Sequence, residues 1–286
     1  MIATKMRKLL SEREWEITII DRDPMHHYQP GWLLVPFGVD TPQGCVRPKK
    51  DFICRGVNFV LDTITGVDPV QRKVECKNST HTYDWIVVAS GARIAPDEVP
   101  GLLDDWGGKI HNFYTHDGAA ALYGKMKNFK KGRLVLHICE TPIKCPVAPL
   151  EFVYMADWYL QKMGVRQNVE IELVTPLTGA FTKPVANNIL GALCEQKGIK
   201  VTTNWTVDSV EADRAVISSV TGDEIPYDLL VSIPPNLGQE FLIESEVSDV
   251  TGFIDTDKEL LKSKKYENMY IIGDATNVPA SKAGSV

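Results

Sequence analysis

The sequence predicts an α/β protein with two Rossmann-like βαβ units, and three observations carry that prediction. A short β-branched run, Glu16-Ile17-Thr18-Ile19-Ile20-Asp21, ends in an acid. A strand, loop, helix and strand succeed one another between Arg133 and Val174. Two more apolar runs, 83–88 and 268–272, each break into small residues, Ala89-Ser90-Gly91-Ala92 and Gly273-Asp274. Runs of this length without strict alternation fit strands buried on both faces, as in a parallel sheet.

In order along the chain, residues 1–10 read as a helix with apolar positions at Ile2, Met6, Leu9 and Leu10. The run ending at Asp21 fits the second strand of a Rossmann unit, whose terminal carboxylate accepts hydrogen bonds from an adenosine ribose. The Gly-rich turn that normally lies about 20 residues before that acid is expected upstream of Met1. The first unit is therefore expected to lack its first strand and its phosphate loop within this sequence. A loop rich in Pro and Gly follows from His26 to Gly38. Strands are predicted at 57–61, 63–67, 73–76 and 82–88, separated by turns at Asp68-Pro69 and Asn78-Ser79. The last of them runs into 89–92, where small side chains let the backbone approach a ligand closely.

The second unit opens with a strand at 133–138 and continues through a loop to Cys145 and a helix around Leu150, Val153, Tyr154 and Trp158. A strand at 169–174 completes it. The loop Cys139-Glu140-Thr141-Pro142-Ile143-Lys144-Cys145-Pro146 has no glycine, so it cannot form the turn that seats a nicotinamide dinucleotide's pyrophosphate on backbone amides. A helix at 185–196, strands at 199–203, 205–212 and 215–220, and a closing strand at 227–233 before Pro234-Pro235 extend this unit.

Composition narrows the functional classes. With 286 residues, 44% hydrophobic and 24% charged, the chain can bury two ordinary cores. A net charge of -6 and a pI near 5.6, with Lys and Arg dispersed, argue against a nucleic-acid surface. The basic run Lys125–Lys131 fits a solvated helix end. No apolar run is long enough to span a bilayer, and the first ten residues do not form a secretory signal. The six cysteines include no CxxC pair and read as individual thiols, each by default a small buried hydrophobe.

Taken together, IIDRD, VVASGAR and YIIGDATNVPASKAG resemble the flavoprotein disulfide reductase superfamily. Within it, His26-His27-Tyr28-Gln29-Pro30-Gly31, Thr141-Pro142-Ile143-Lys144-Cys145 and Pro279-Ala280-Ser281-Lys282-Ala283-Gly284 resemble sulfide:quinone oxidoreductases and the related sulfide-dehydrogenase flavoproteins. The resemblance covers nearly the whole chain. It implies an FAD domain made of residues 1–95 and 237–286, with 96–236 inserted as the second Rossmann-like domain. It also implies that Asp21 holds the FAD ribose, that Ala89, Ser90 and Gly91 lie against the nucleotide, that Gly273 and Asp274 hold the ribityl chain, and that Lys282 approaches the flavin or quinone end. Sulfide and quinone are the implied partners, with a peripheral-membrane or cytoplasmic location, and Cys145 carries sulfur beside the flavin, paired with a second cysteine expected beyond Val286.

The residues themselves weigh the same chemistry. Cys145 stands before Pro146 and a predicted helix N-terminus with Lys144 adjacent, features that lower a thiol's pKa; a buried structural cysteine is the plainer alternative. Glu151 could move a proton or merely complement the helix dipole. His26 and His27 lie in the loop named above, near the flavin or simply solvated. His137, Cys139 and Cys145 would make three zinc ligands where a closed site needs four, so no metal is expected. Two other functions stay open: a type II NADH:quinone dehydrogenase relative, against which the glycine-free loop argues, and a cofactor-free truncated chain.

Overall fold

The structure, a computed structural model, describes residues 1–279 and Lys282; of the run 279–284, Ala280, Ser281, Ala283 and Gly284 lie outside the described residues. It divides into two compact units: Met1–Tyr28, Val46–Ala92 and Leu237–Ala280 in the first, and Gln29–Cys45, Arg93–Asn236 and Ser281–Val286 in the second.

In the first unit, strand Thr18–Asp21 pairs in parallel with Asn58–Leu61, and Ile86–Val88 pairs in parallel with Met269–Ile271. Strands Ile64–Asp68, Lys73–Cys76 and Thr80–Thr82 form an antiparallel sheet, and Met25–His27 pairs with Val46–Pro48. The run 82–88, expected as one strand, is two: Thr80–Thr82 belongs to the antiparallel sheet and Ile86–Val88 to the pair with Met269–Ile271. The break falls at Tyr83-Asp84-Trp85, where the Tyr83 N–H closes back on the Arg72 carbonyl at 3.0 Å. Val67, Val88, Leu242, Val247, Ile254, Met269, Ile271 and Ala275 make the core. The helix Ile2–Leu9 buries none of its residues.

The second unit is built on a parallel sheet in which Gly132–Ile138 is central, flanked by Val169–Val174 and then Ile199–Thr202 on one side and by Leu229–Ile233 and then Ile110–His111 on the other. Alternate side chains of the central strand face two cores. Leu134, Leu136 and Ile138 pack with Phe152, Val153, Ala156 and Leu160, while Val135 packs with Ile110, Leu230 and Ile217. The helix Ala148–Lys162 presents Phe152, Val153, Ala156 and Leu160 at three- and four-residue spacing, and burying a side chain such as Phe152 stabilises by about 1.5–3 kcal/mol. Pro at its start, Glu151 in its first turn and Lys162 in its last suit the helix dipole. Gly164, at φ +70°, ends it: the Val165 N–H returns to the Leu160 carbonyl at 3.0 Å.

The segment Gln29–Cys45, assigned on sequence to the flavin domain, packs in this second unit. Trp32, Val35 and Phe37 are buried there, with the Phe37 ring 5.0 Å from that of Phe152. The helix His116–Asn128, of which the sequence marked only the basic end at Lys125–Lys131, is capped by Thr115 Oγ1, which accepts the Gly118 N–H at 3.0 Å. Among the described residues no helix is long and apolar enough to cross a membrane.

Candidate functional site

The residues singled out in the sequence fall into two groups, one in each unit. In the first unit, Asp21 ends its strand as expected. Its Oδ1 accepts the Asp23 N–H at 3.0 Å and its Oδ2 pairs with Lys49 Nζ. Lys49, which no sequence motif marks, is held by its own N–H on the Pro24 carbonyl at 2.8 Å. The carboxylate is thus fixed at a strand's C-terminal edge.

The other two runs of small residues meet because their strands are neighbours. Val88 lies opposite Ile271, so 89–91 and Gly273-Asp274 leave the C-terminal ends of adjacent parallel strands. Ligands of open α/β sheets bind at such strand ends. The Ile272 N–H bonds the Val88 carbonyl at 3.0 Å, and Gln239 Nε2 donates to the Ser90 carbonyl at 3.2 Å. Gly91 (φ +65°) and Gly273 (φ +66°) both adopt the left-handed conformation that glycine favours, and a Cβ built on either meets nothing within 4 Å. The Ser90 hydroxyl is buried without a protein partner. A buried hydroxyl left unmet beside two backbone approaches with open space is what a polar nucleotide chain requires. These residues fit a flavin nucleotide.

His26 and His27 are engaged locally. The His26 ring lies 5.2 Å from that of Phe52, and His27 Nε2 is 3.0 Å from Asp23 Oδ2.

In the second unit the loop after the central strand carries Cys145, which is exposed. The helix that follows begins at Ala148. Cys145 stands three residues before Ala148 with φ +49°, and its carbonyl accepts the Ala148 N–H at 2.9 Å. One residue from each of two other runs that carried the family resemblance, Gln29 and Lys282, meets the loop here. Lys144 Nζ reaches Gln29 Oε1 at 3.4 Å, and the Cys145 N–H donates to the Lys282 carbonyl at 2.7 Å. Two residues not picked from the sequence also touch the loop: Tyr114 donates its hydroxyl to the Lys144 carbonyl at 2.8 Å, and Asn236 Oδ1 accepts the Lys144 N–H at 2.9 Å.

Burial separates the two cysteines of this loop. Cys139 is buried against Ser232 Oγ at 3.2 Å and His137 Nδ1 at 3.6 Å, and burial pushes its thiol up to about 12 and the His137 imidazole down to about 3. Neither is a nucleophile or base at neutral pH. Glu151 is exposed, yet partial desolvation raises its carboxyl above the ordinary value. The Tyr114 phenol is raised well above its ordinary value by burial first and then by the negative charges of Cys145 and Glu151, which places all three within electrostatic reach of one another. Among the described residues no group of three or more His, Cys, Asp or Glu side chains is set to hold a metal ion.

No family model matches the chain. It is 28% identical over 292 residues to the mitochondrial sulfide:quinone oxidoreductase of Mus musculus, covering 99% of this chain and 64% of that protein. To the mitochondrial enzyme of Dictyostelium discoideum it is 27% identical over 277 residues, 94% of this chain and 61% of the relative. To a type II NADH:quinone oxidoreductase of Staphylococcus aureus it is 32% identical over 295 residues, 98% of this chain and 72% of the relative. The sulfide:quinone oxidoreductase structure from Aquifex aeolicus superposes with a TM-score of 0.83 at 19% identity, over 97% of this chain and 66% of that one, and shares the fold. The chain thus spans 61% and 64% of the length of the two mitochondrial relatives. It belongs to the FAD-dependent pyridine nucleotide-disulfide oxidoreductase superfamily, and both sulfide:quinone oxidoreductases and type II NADH:quinone oxidoreductases are among the proteins it is similar to.

Proposed function

We propose that this chain serves FAD-dependent oxidation of sulfide with delivery of the electrons to a quinone, and that Cys145 is the sulfur-carrying residue. The observation that carries this reading is the Cys145 loop: an exposed cysteine in left-handed backbone, in a run resembling sulfide:quinone oxidoreductases and in contact with Gln29 and Lys282 of two other such runs. When bound, FAD supplies a two-electron acceptor and relay. Asp21 would accept from the ribose, Ser90 and Gly91 would meet the nucleotide chain, and Gly273 and Asp274 would hold the ribityl chain. Cys145 takes part by thiol–disulfide exchange: hydrosulfide attacks a sulfur bonded to Cys145, one S–S bond forms as another breaks, and the displaced sulfur leaves as a thiolate. Glu151, its carboxyl raised by desolvation, is suited to take the proton that hydrosulfide gives up. Lys282 holds the cysteine through its carbonyl.

The test is anaerobic mixing of the flavin-loaded protein with sulfide, following the flavin absorption band. Rapid bleaching, reoxidation by a soluble quinone, and loss of bleaching in Cys145→Ser with flavin content intact are expected. A Cys145→Ser protein that bleaches at the normal rate would remove Cys145 from the chemistry. The identity to the Staphylococcus aureus protein favours a second reading, oxidation of NADH. The glycine-free loop and the strand Val169–Val174, which continues into Thr175 instead of an acid, stand against it.

A further inference from the structure

Cys145 holds a backbone conformation that a side chain other than glycine disfavours, so something around it must hold it there. The loop's own sequence offers no reason. Its surroundings do, because three consecutive peptide groups are pinned. The Lys144 N–H goes to Asn236 Oδ1 at 2.9 Å. The next peptide is held at both ends, its carbonyl on Lys144 by the Tyr114 hydroxyl at 2.8 Å and its N–H on Cys145 by the Lys282 carbonyl at 2.7 Å. The Cys145 carbonyl then accepts both the Ala148 N–H at 2.9 Å and the same Tyr114 hydroxyl at 3.3 Å.

Both side chains of this clamp are rigid. Tyr114 is 6% exposed, its ring 5.0 Å from that of Phe113, and its N–H rests on Asn112 Oδ1 at 2.9 Å. Asn112 is itself 2% exposed and also accepts the Thr115 N–H at 3.0 Å, which ties the turn to the cap of the helix His116–Asn128. Asn236 is 4% exposed and its Nδ2 is fixed on the Pro234 carbonyl at 2.9 Å. A tyrosine is not needed here for packing alone, since phenylalanine would fill the same space. What the hydroxyl adds is a donor shared by two adjacent carbonyls.

We infer that Tyr114 is a positioning residue for Cys145: its buried hydroxyl, with Asn236 Oδ1 opposite, locks the Lys144-Cys145 backbone in the left-handed turn that presents the cysteine for sulfur exchange. The inference deepens the sulfide-oxidising reading and rests on it for its consequence in turnover, but the clamp itself can be read without that reading. Tyr114→Phe deletes one hydroxyl and leaves the ring in place. In this variant, hydrogen exchange of the peptide covering 144–148 accelerates about fivefold, the worth of one ordinary neutral hydrogen bond. Exchange in the central strand Gly132–Ile138 is unchanged. The limiting rate of flavin reduction by sulfide falls by a similar factor, about fivefold, while flavin content and the apparent KM for sulfide stay within about twofold. That split between limiting rate and KM separates positioning from a general loss of structure. Asn236→Ala, which releases the other side of the turn, shifts both readouts in the same direction.

Unchanged exchange at 144–148 in Tyr114→Phe overturns the inference whatever Cys145 does. Faster exchange with an unaltered sulfide rate, in a protein whose Cys145→Ser variant is dead, also overturns it, because the clamp then has no chemical consequence. If instead Cys145→Ser keeps full sulfide activity, it is the proposed function that fails, and the exchange data still report on the clamp alone.

Discussion

Asp157 accepts a hydrogen bond from Arg166 Nε at 2.8 Å while its other oxygen takes Lys197 Nζ at 2.8 Å and Gln161 Nε2 at 2.8 Å. The carboxylate is 1% exposed and joins the helix Ala148–Lys162 to the turn Arg166–Asn168 and to the end of the helix Pro184–Gln196. Burial raises its carboxyl and the three donors outweigh that effect, so the net direction is down. Asp157→Ala should destabilise the protein by roughly 3 kcal/mol, toward the lower end for a broken buried pair because both cations keep access to water. Urea unfolding checks it. A loss well under 1 kcal/mol would mean that the cations find water at no cost.

The linked pH effect has a definite sign. A depressed carboxyl contributes stability that is present above the unfolded pKa and is lost as pH falls through the lower folded value. His137 adds a second acid-sensitive term of the same sign in another window. Its folded value is about 3 and its ordinary value 6.5, so the unfolded chain binds the proton first as pH falls. Stability from this group is complete above pH 6.5 and declines toward pH 3, by up to about 1.4 kcal/mol per pH unit. Between pH 6.5 and pH 5 the unfolding free energy of His137→Leu should therefore fall less steeply than that of the parent. Parallel curves would show that the buried imidazole takes up its proton without unfolding.

Gly91→Ala should separate folding from cofactor binding. The left-handed backbone costs an alanine about 1–2 kcal/mol, and no atom lies within 4 Å of the added methyl, so the fold survives. The methyl instead occupies the space where a flavin nucleotide would approach the backbone. Flavin absorbance per protein should drop sharply with only a small change in thermal midpoint. Full flavin content in the variant would take Gly91 out of the cofactor site.

The parts of this protein legible in its sequence are those where chemistry and local pattern coincide. The strand Val169–Val174 stands where expected because apolar residues fill a length typical of a strand between turn signals. The acid ending Thr18–Asp21 was legible for the same reason. What was not legible depends on contacts far apart in the chain. Nothing near Tyr114 announces that its hydroxyl will meet a carbonyl 30 residues later. Much of the segment Gln29–Cys45 reads as a loop rich in Pro and Gly, and only the packing beside Phe152 shows why Trp32, Val35 and Phe37 belong to the second unit. The helix His116–Asn128 did leave a signal, Thr115 followed by an acid in the first turn. Its weak apolar stripe of Ala119, Leu122 and Met126 hid it.

The same loop that carries Cys145 bears on the question of NADH. In a nicotinamide-binding unit the turn after the first strand offers free backbone amides to the pyrophosphate, and glycines let the phosphates come close. Here three of the loop's amides are spent within the protein: Cys139 N–H on the Ile233 carbonyl at 3.0 Å, Lys144 N–H on Asn236 Oδ1 at 2.9 Å, and Cys145 N–H on the Lys282 carbonyl at 2.7 Å. Pro142 and Pro146 have no N–H to give. At the end of the next strand, Thr175 occupies the place where an acid would hold the adenosine ribose, and its N–H is bonded to the Thr202 carbonyl at 2.9 Å. Losing even two charge-assisted bonds to phosphate weakens binding by about a hundredfold or more. Mixed anaerobically with the flavin-loaded protein, NADH should therefore bleach the flavin at least about a hundredfold more slowly than sulfide at equal concentration. Bleaching by NADH at a rate comparable with sulfide would show that a dinucleotide is seated by groups other than this loop, and the chain would then be read as an NADH:quinone oxidoreductase like its Staphylococcus aureus relative.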